Sequence, residues 1–200
     1  MVYSNEDYLT NLLRSTRSLL ESIGGVEALQ QELDYYEPSG LRAKFPTVNH
    51  IHIRLCDSIR NTQRMRLVIT DQLFETIAEQ LLRCTLDLIC GGGVELVTQI
   101  IQMSCQLSED GQNKKRSWGI FKQGVVESSC YLRNFESPKQ FYSYIDSKVH
   151  TVDEAWSLAL ELDPIKGIGP SLACDFLKEV GVEGEDKEAR PGTRFRFHHH

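Results

Sequence analysis

Apolar residues in this chain return at every third or fourth position, in one segment after another. That period puts them on one face of an α-helix, whereas the alternation that marks a half-buried strand is nearly absent. Leu9, Leu12, Leu13, Thr16, Leu19, Leu20 and Ile23 share such a face, with Ser4 and Asp7 as a capping signal and Gly24-Gly25 as the stop. A second helix is predicted from Val26, burying Leu29, Leu33 and Tyr36, and closed by Pro38-Ser39-Gly40.

The stretch from Arg42 to Arg66 admits two readings. Val48, Ile51, Leu55 and Ile59 lie on one helical face, and Pro46 suits a first helical position. Ile51-His52-Ile53-Arg54-Leu55 also alternates as a strand does. No nearby segment supplies a partner strand, so helix is favoured. Leu67 to Ile89 reads as one long helix that Gly91-Gly92-Gly93 breaks, and Val94 to Leu107 as the next. Ser108 to Gln112 is the most linker-like segment. It divides an N-terminal helical region, 1–107, from a C-terminal one, 113–184, but it is short enough for both to pack as one domain. Helices are then expected over Trp118 to Tyr131, Pro138 to Val149 and Val152 to Leu162, with Ser137 and Thr151 as caps. The expected fold is all-α, a multi-helix orthogonal bundle. Residues 193–200 end in a histidine run that looks like a purification tag, and they are left out of the functional reading.

Composition narrows the function classes. Hydrophobic residues are 40% and charged residues 25% of the chain, enough for a sizeable core. The net charge of -6 argues against a protein that coats nucleic acid non-specifically, while leaving room for local basic patches. The six cysteines form no C-x-x-C pair, and most sit among apolar residues as buried free thiols would. That points to an intracellular setting, in cytoplasm, nucleus or nucleoid. No stretch reads as a signal peptide or a membrane span.

The segment with chemical content is Leu162-Asp163-Pro164-Ile165-Lys166-Gly167-Ile168-Gly169-Pro170-Ser171-Leu172-Ala173-Cys174. A helix ending near Asp163-Pro164, a tight Gly-Ile-Gly turn and a second helix opening at Pro170 make a hairpin of helices. The glycines let the backbone turn sharply and approach another molecule, and Ile168 between them can anchor the turn in the crevice between helices. Amides at the turn and the helix N-terminus then form an anion site that holds phosphate without reading sequence. Lys166, Gly167, Ile168, Gly169 and Ser171 are the candidate residues. The same glycines also serve a plain corner between two helices.

Over residues 150–181 this pattern resembles the helix-hairpin-helix of the DNA glycosylase superfamily, the group of endonuclease III. The resemblance implies an all-α fold that grips the DNA phosphate backbone, and in active members flips an altered base into a pocket. It also implies a monovalent cation at the hairpin carbonyls; no other cofactor and no metal is expected. Where that family carries its catalytic aspartate, this chain reads Glu185-Asp186-Lys187-Glu188, so Asp186 is the candidate. Pro170-Ser171-Leu172 stands where bifunctional members place a nucleophilic lysine, so lyase chemistry is not expected. No cysteine cluster follows for an iron–sulfur centre. Two functions result: a DNA-binding repair protein, with N-glycosylase activity and no lyase activity, or an inactive glycosylase-like scaffold that binds a protein partner.

Other candidates carry weaker chemistry. Lys114, Lys115 and Arg116 stand beside Trp118 and Phe121, as a phosphate patch beside a stacking platform would. Arg42, Lys44, Arg54, Arg60, Arg64 and Arg66 face only Asp57 in their own interval, giving either a second basic surface or charges balanced from elsewhere. His50 and His52 have no third ligand nearby and read as structural or surface residues. Gly91-Gly92-Gly93 lacks the lysine and hydroxyl of a phosphate loop and reads as a hinge. Glu127, like Asp34, Glu37 and Glu136, offers a carboxylate with no paired spacing.

Overall fold

The computed structural model describes residues 38–182, apart from 107, 109–110 and 113–115, together with Ser18 and Ser22. Apart from Ser18 and Ser22, which are helical, the helices expected over 9–23 and 26–36 lie outside the described residues, as do Lys114, Lys115, Asp186 and the C-terminal tail.

Eight α-helices and one 3-10 segment make up the described residues, and no strand occurs among them. α1 is Pro38–Ala43 and α2 is Val48–Arg60. The helical reading of the ambiguous stretch holds: Ile51, Leu55 and Ile59 are fully buried along one face of α2. Thr47 caps this helix by accepting the His50 amide, so Pro46 stands outside it rather than at its first position.

The long helix expected over 67–89 is instead three pieces. The 3-10 segment is Thr62–Leu67, α3 is Asp71–Leu82, and α4 is Leu86–Cys105. Thr70 and Thr85 cause the breaks, each accepting the amide three residues on and capping a new helix. The glycine run does not end α4. It kinks it, with Gly93 at φ 62°, while the Leu96 side chain lies over Gly92 where no Cβ would fit. α4 is, by length and composition alone, apolar enough to cross a bilayer, which corrects the expectation that no stretch is; Ile89, Val97 and Ile101 are fully buried among the other helices.

α5 is Arg116–Leu132, α6 is Pro138–Lys148, α7 is Val152–Leu162 and α8 is Pro170–Glu179. Ser137 and Thr151 cap α6 and α7 as expected. Gly181, at φ 77°, closes α8: its amide reaches the Lys178 carbonyl, and the Val182 amide reaches back to that of Leu177. That paired return is a Schellman stop, which satisfies carbonyls the helix end leaves open.

One apolar cluster runs from Val48 to Val182 and takes residues from both sides of the linker. α4 and α5 form its most extensive packing, and Cys90 on α4 is bonded to Cys130 on α5. This corrects the reading of most cysteines as free thiols for one pair; Cys56, Cys84, Cys105 and Cys174 are free. A stack of edge-on rings, Phe74 to Phe121 to Trp118, fills the centre at centroid distances of 6.3 and 6.2 Å.

Candidate nucleic-acid interface

The hairpin forms as the glycines and proline require. α7 ends at Leu162, the Ile165 amide returns to the Leu162 carbonyl, and the Ile168 amide to that of Ile165 at 2.9 Å. Gly167 holds φ at 88°, a left-handed conformation that strains any side chain. Ile168 is 3% exposed and Ile165 5%, so both anchor the turn from inside. Gly169 is the N-cap of α8 and has no side chain to cap with, and Pro170 brings no amide. The Ala173 amide bonds the Gly169 carbonyl; among the described residues no acceptor of this chain meets the amides of Gly169, Ser171 and Leu172. Lys166 and Ser171 are exposed beside them. Free first-turn amides at the positive end of a ten-residue helix are suited to an anion.

The inner side of the turn rests on distant parts of the chain. Ile120, Gly124 and Glu127 recur along one face of α5 and meet the hairpin. A Cβ on Gly124 would stand 2.3 Å from the Lys166 carbonyl oxygen, and one on Gly167 would stand 2.9 Å from Ile59 and 3.1 Å from Ile120. The Lys166 amide donates to Glu127 Oε2 at 2.5 Å, while Gln123 Nε2 donates to Glu127 Oε1 at 2.8 Å. Thr62, opening the 3-10 segment, donates its hydroxyl to the Gly167 carbonyl. The turn carbonyls of Ile165 and Gly167 thus have donors of this chain, and that of Lys166 faces Gly124.

The other candidates are dispersed. Arg116 is exposed at the start of α5, but Trp118 is 2% exposed and Phe121 wholly buried, so these rings are core and no stacking platform. The basic interval is largely balanced from elsewhere. Arg42 pairs with Asp146 at 2.5 Å and also donates to the Gly181 carbonyl. Arg54 pairs with Asp57 and Glu179. Arg60 is 3% exposed and pairs with Asp57 at 2.5 Å and Asp71 at 2.6 Å. Arg66 is exposed, with a longer 3.4 Å contact to Asp71.

His50 and His52 fall on different sides of α2, as a two-residue helical spacing requires. His50 Nδ1 meets the Thr47 hydroxyl at 2.7 Å, beside a cleft of about 650 Å³ that no hairpin residue lines. His52 is buried. Its Nε2 lies 3.0 Å from both the Val125 carbonyl and Ser128 Oγ, and 3.4 Å from Cys56 Sγ. Ser128 donates its own proton to that carbonyl, so His52 is the residue whose Nε2–H donates to Ser128 Oγ and the carbonyl. Burial lowers its pKa to about 4, against a smaller raising effect of the Val125 carbonyl, and burial pushes the Cys56 thiol up to about 12. All three side chains of this Cys–His–Ser group are buried, at 1% exposure or less. No group of three or more metal-ligating side chains occurs among the described residues.

Glu127 and Thr62 are the hairpin contacts that reading the sequence missed. A signal for the first existed: Ile120, Gly124 and Glu127 recur at helical spacing with a glycine in the middle, which marks a face closely approached by backbone. Compared with protein-family models, with curated proteins and with solved structures, the chain matches none.

Proposed function

We propose that this protein binds DNA through a backbone phosphate held at the Gly167-Ile168-Gly169 hairpin, in repair or in recognition of altered bases. The observation that carries the reading is the uncapped start of α8: three amides, Gly169, Ser171 and Leu172, lie beside a glycine turn, with exposed Lys166 next to them. Nothing in such a site touches a base edge, so binding is independent of sequence and weakens with salt. The pattern shared with helix-hairpin-helix DNA glycosylases extends the proposal to N-glycosidic bond cleavage without lyase activity. Asp186 would then supply the carboxylate that activates water or steadies the cationic sugar. A monovalent cation at the turn would have to share carbonyls that Ile168 and Thr62 already use.

A second reading, a glycosylase-like scaffold for a protein partner, is favoured by one observation. Arg42, Arg54 and Arg60 are paired with acids of the fold rather than gathered on a basic surface.

Ser171→Glu separates the two. A carboxylate in the first turn of α8 suits the helix dipole, so the protein stays folded while its own anion meets the phosphate site. Anisotropy of a short labelled duplex, titrated across salt, should show affinity falling about tenfold or more, the worth of one charge-assisted contact. Unchanged duplex binding by this variant refutes the hairpin assignment, and no duplex binding by the unmutated protein at low salt refutes DNA binding. Incubation with lesion-bearing duplexes followed by alkali tests base release, and an undiminished rate in Asp186→Asn removes that residue from the chemistry.

A further inference from the structure

The phosphate site just proposed is made of backbone, so its geometry is only as good as whatever holds the turn in place. Four side chains hold that turn from its inner side, and one of them brings a charge. Ile59 and Ile120 pack against Gly167, and Thr62 donates to its carbonyl. Glu127 is the ionisable one. It is half-buried on α5, one of its oxygens receives the Lys166 amide, and the other is held by Gln123 one helical turn earlier. Both carboxylate oxygens are therefore directed, and the amide that Oε2 meets is two residues before Ile168 and three before Gly169.

We infer that Glu127 is the positioning residue of the hairpin: its carboxylate, oriented by Gln123, fixes the Lys166 amide and so sets the direction of the amides that would meet phosphate. The inference rests on the DNA-backbone reading for its consequence, but the positioning itself is a property of the free protein. Glu127 touches no ligand in this scheme. It acts through a peptide group whose neighbours make the contact. A carboxylate suits the task because it accepts two directed bonds at once without offering a proton of its own. Glutamine keeps one accepting oxygen for the Lys166 amide, so it retains the geometry in part. Alanine leaves that amide without its acceptor and lets the turn relax.

The test uses the whole chain, with two readouts on Glu127→Ala and Glu127→Gln. The first is amide hydrogen exchange without DNA. Exchange at the bonded amides of the turn, Ile165, Lys166 and Ile168, should quicken about tenfold in Glu127→Ala and recover in Glu127→Gln, while α2 and α4 stay as they were. Exchange that is unmoved at these three amides, or faster everywhere in the core, overturns the positioning role. The second is affinity for a short labelled duplex, well below the melting temperature of each variant. Glu127→Ala should bind about tenfold more weakly, and Glu127→Gln within about threefold of the unmutated protein. Equal affinity for all three proteins overturns the inference. If the unmutated protein binds no duplex, the DNA reading falls, and the exchange data alone decide whether Glu127 sets the turn.

Discussion

Opening the Cys90–Cys130 bond should lower the stability of the protein by about 4 kcal/mol. The bond joins α4 to α5 across a sequence separation of 40. In the loop-entropy description a closed loop of that length removes about 13 cal/mol/K from the unfolded chain, which is about 4 kcal/mol at 25 °C. For a chain of this size each kcal/mol moves the melting temperature by about 2–4 °C, so the loss should be about 8–16 °C. α4 and α5 already share the most extensive packing in the fold, so the reduced protein should remain folded and simply melt sooner. Thiol titration in denaturant is the first assay. With six cysteines and four of them free, the oxidised protein should show four thiols and the reduced protein six. Thermal melts of the oxidised protein, the reduced protein and Cys90→Ser/Cys130→Ser follow. Six thiols without reductant would show that the bond is absent in solution. Four thiols, with melting of the double variant within about 2 °C of the oxidised protein, would refute the loop-entropy argument.

Other consequences are as specific. Gly124→Ala places a methyl group against the Lys166 carbonyl and Ile59, and should cost about 1–3 kcal/mol by chemical denaturation, with duplex affinity falling in parallel; an unchanged midpoint would show that the hairpin does not rest on α5. His52 is neutral in the fold with a pKa near 4 against an ordinary 6.5. Its unfolded form binds the proton first, so its contribution is complete above pH 6.5 and is lost as pH falls toward 4. Between pH 7 and 4.5 that loss should be about 2 kcal/mol. His52→Gln should flatten the stability profile by about one proton across that range, and a slope equal to the unmutated protein's would show that another group is responsible.

What could be read from the sequence follows from how local each cause is. Caps at Ser137 and Thr151 and the Gly-Ile-Gly turn act within a few residues, and the hairpin was legible for the same reason. Thr70 and Thr85 were equally local, but they sit inside a long run of helical periodicity that conceals breaks. The glycine run at 91–93 was legible as a discontinuity, though not as a kink covered by Leu96. Cys90 and Cys130 each sit in a helical apolar pattern, and nothing near either one names the other. The same is true of Arg60, whose partner Asp71 lies beyond the 3-10 segment, and of Arg54, whose partner Glu179 closes α8. Glu127 and Thr62 lie 39 and 105 residues from the hairpin atoms they hold, a distance over which periodicity and spacing carry no information.

That last separation also bears on how the chain is made. Synthesis delivers Thr62, Ile120, Gly124 and Glu127 before the turn they hold. Until residues 165–167 emerge, the ledge they form is bare, with Ile59 and Ile120 uncovered at its middle. The hairpin is synthesised after the surface it rests on, which residues 59–62 and 120–127 supply. A fragment ending before the turn would carry an open apolar ledge, and a fragment beginning at α7 would carry a turn with nothing beneath it. A well-formed hairpin therefore requires that residues 59–62 and α5 have already met beneath it.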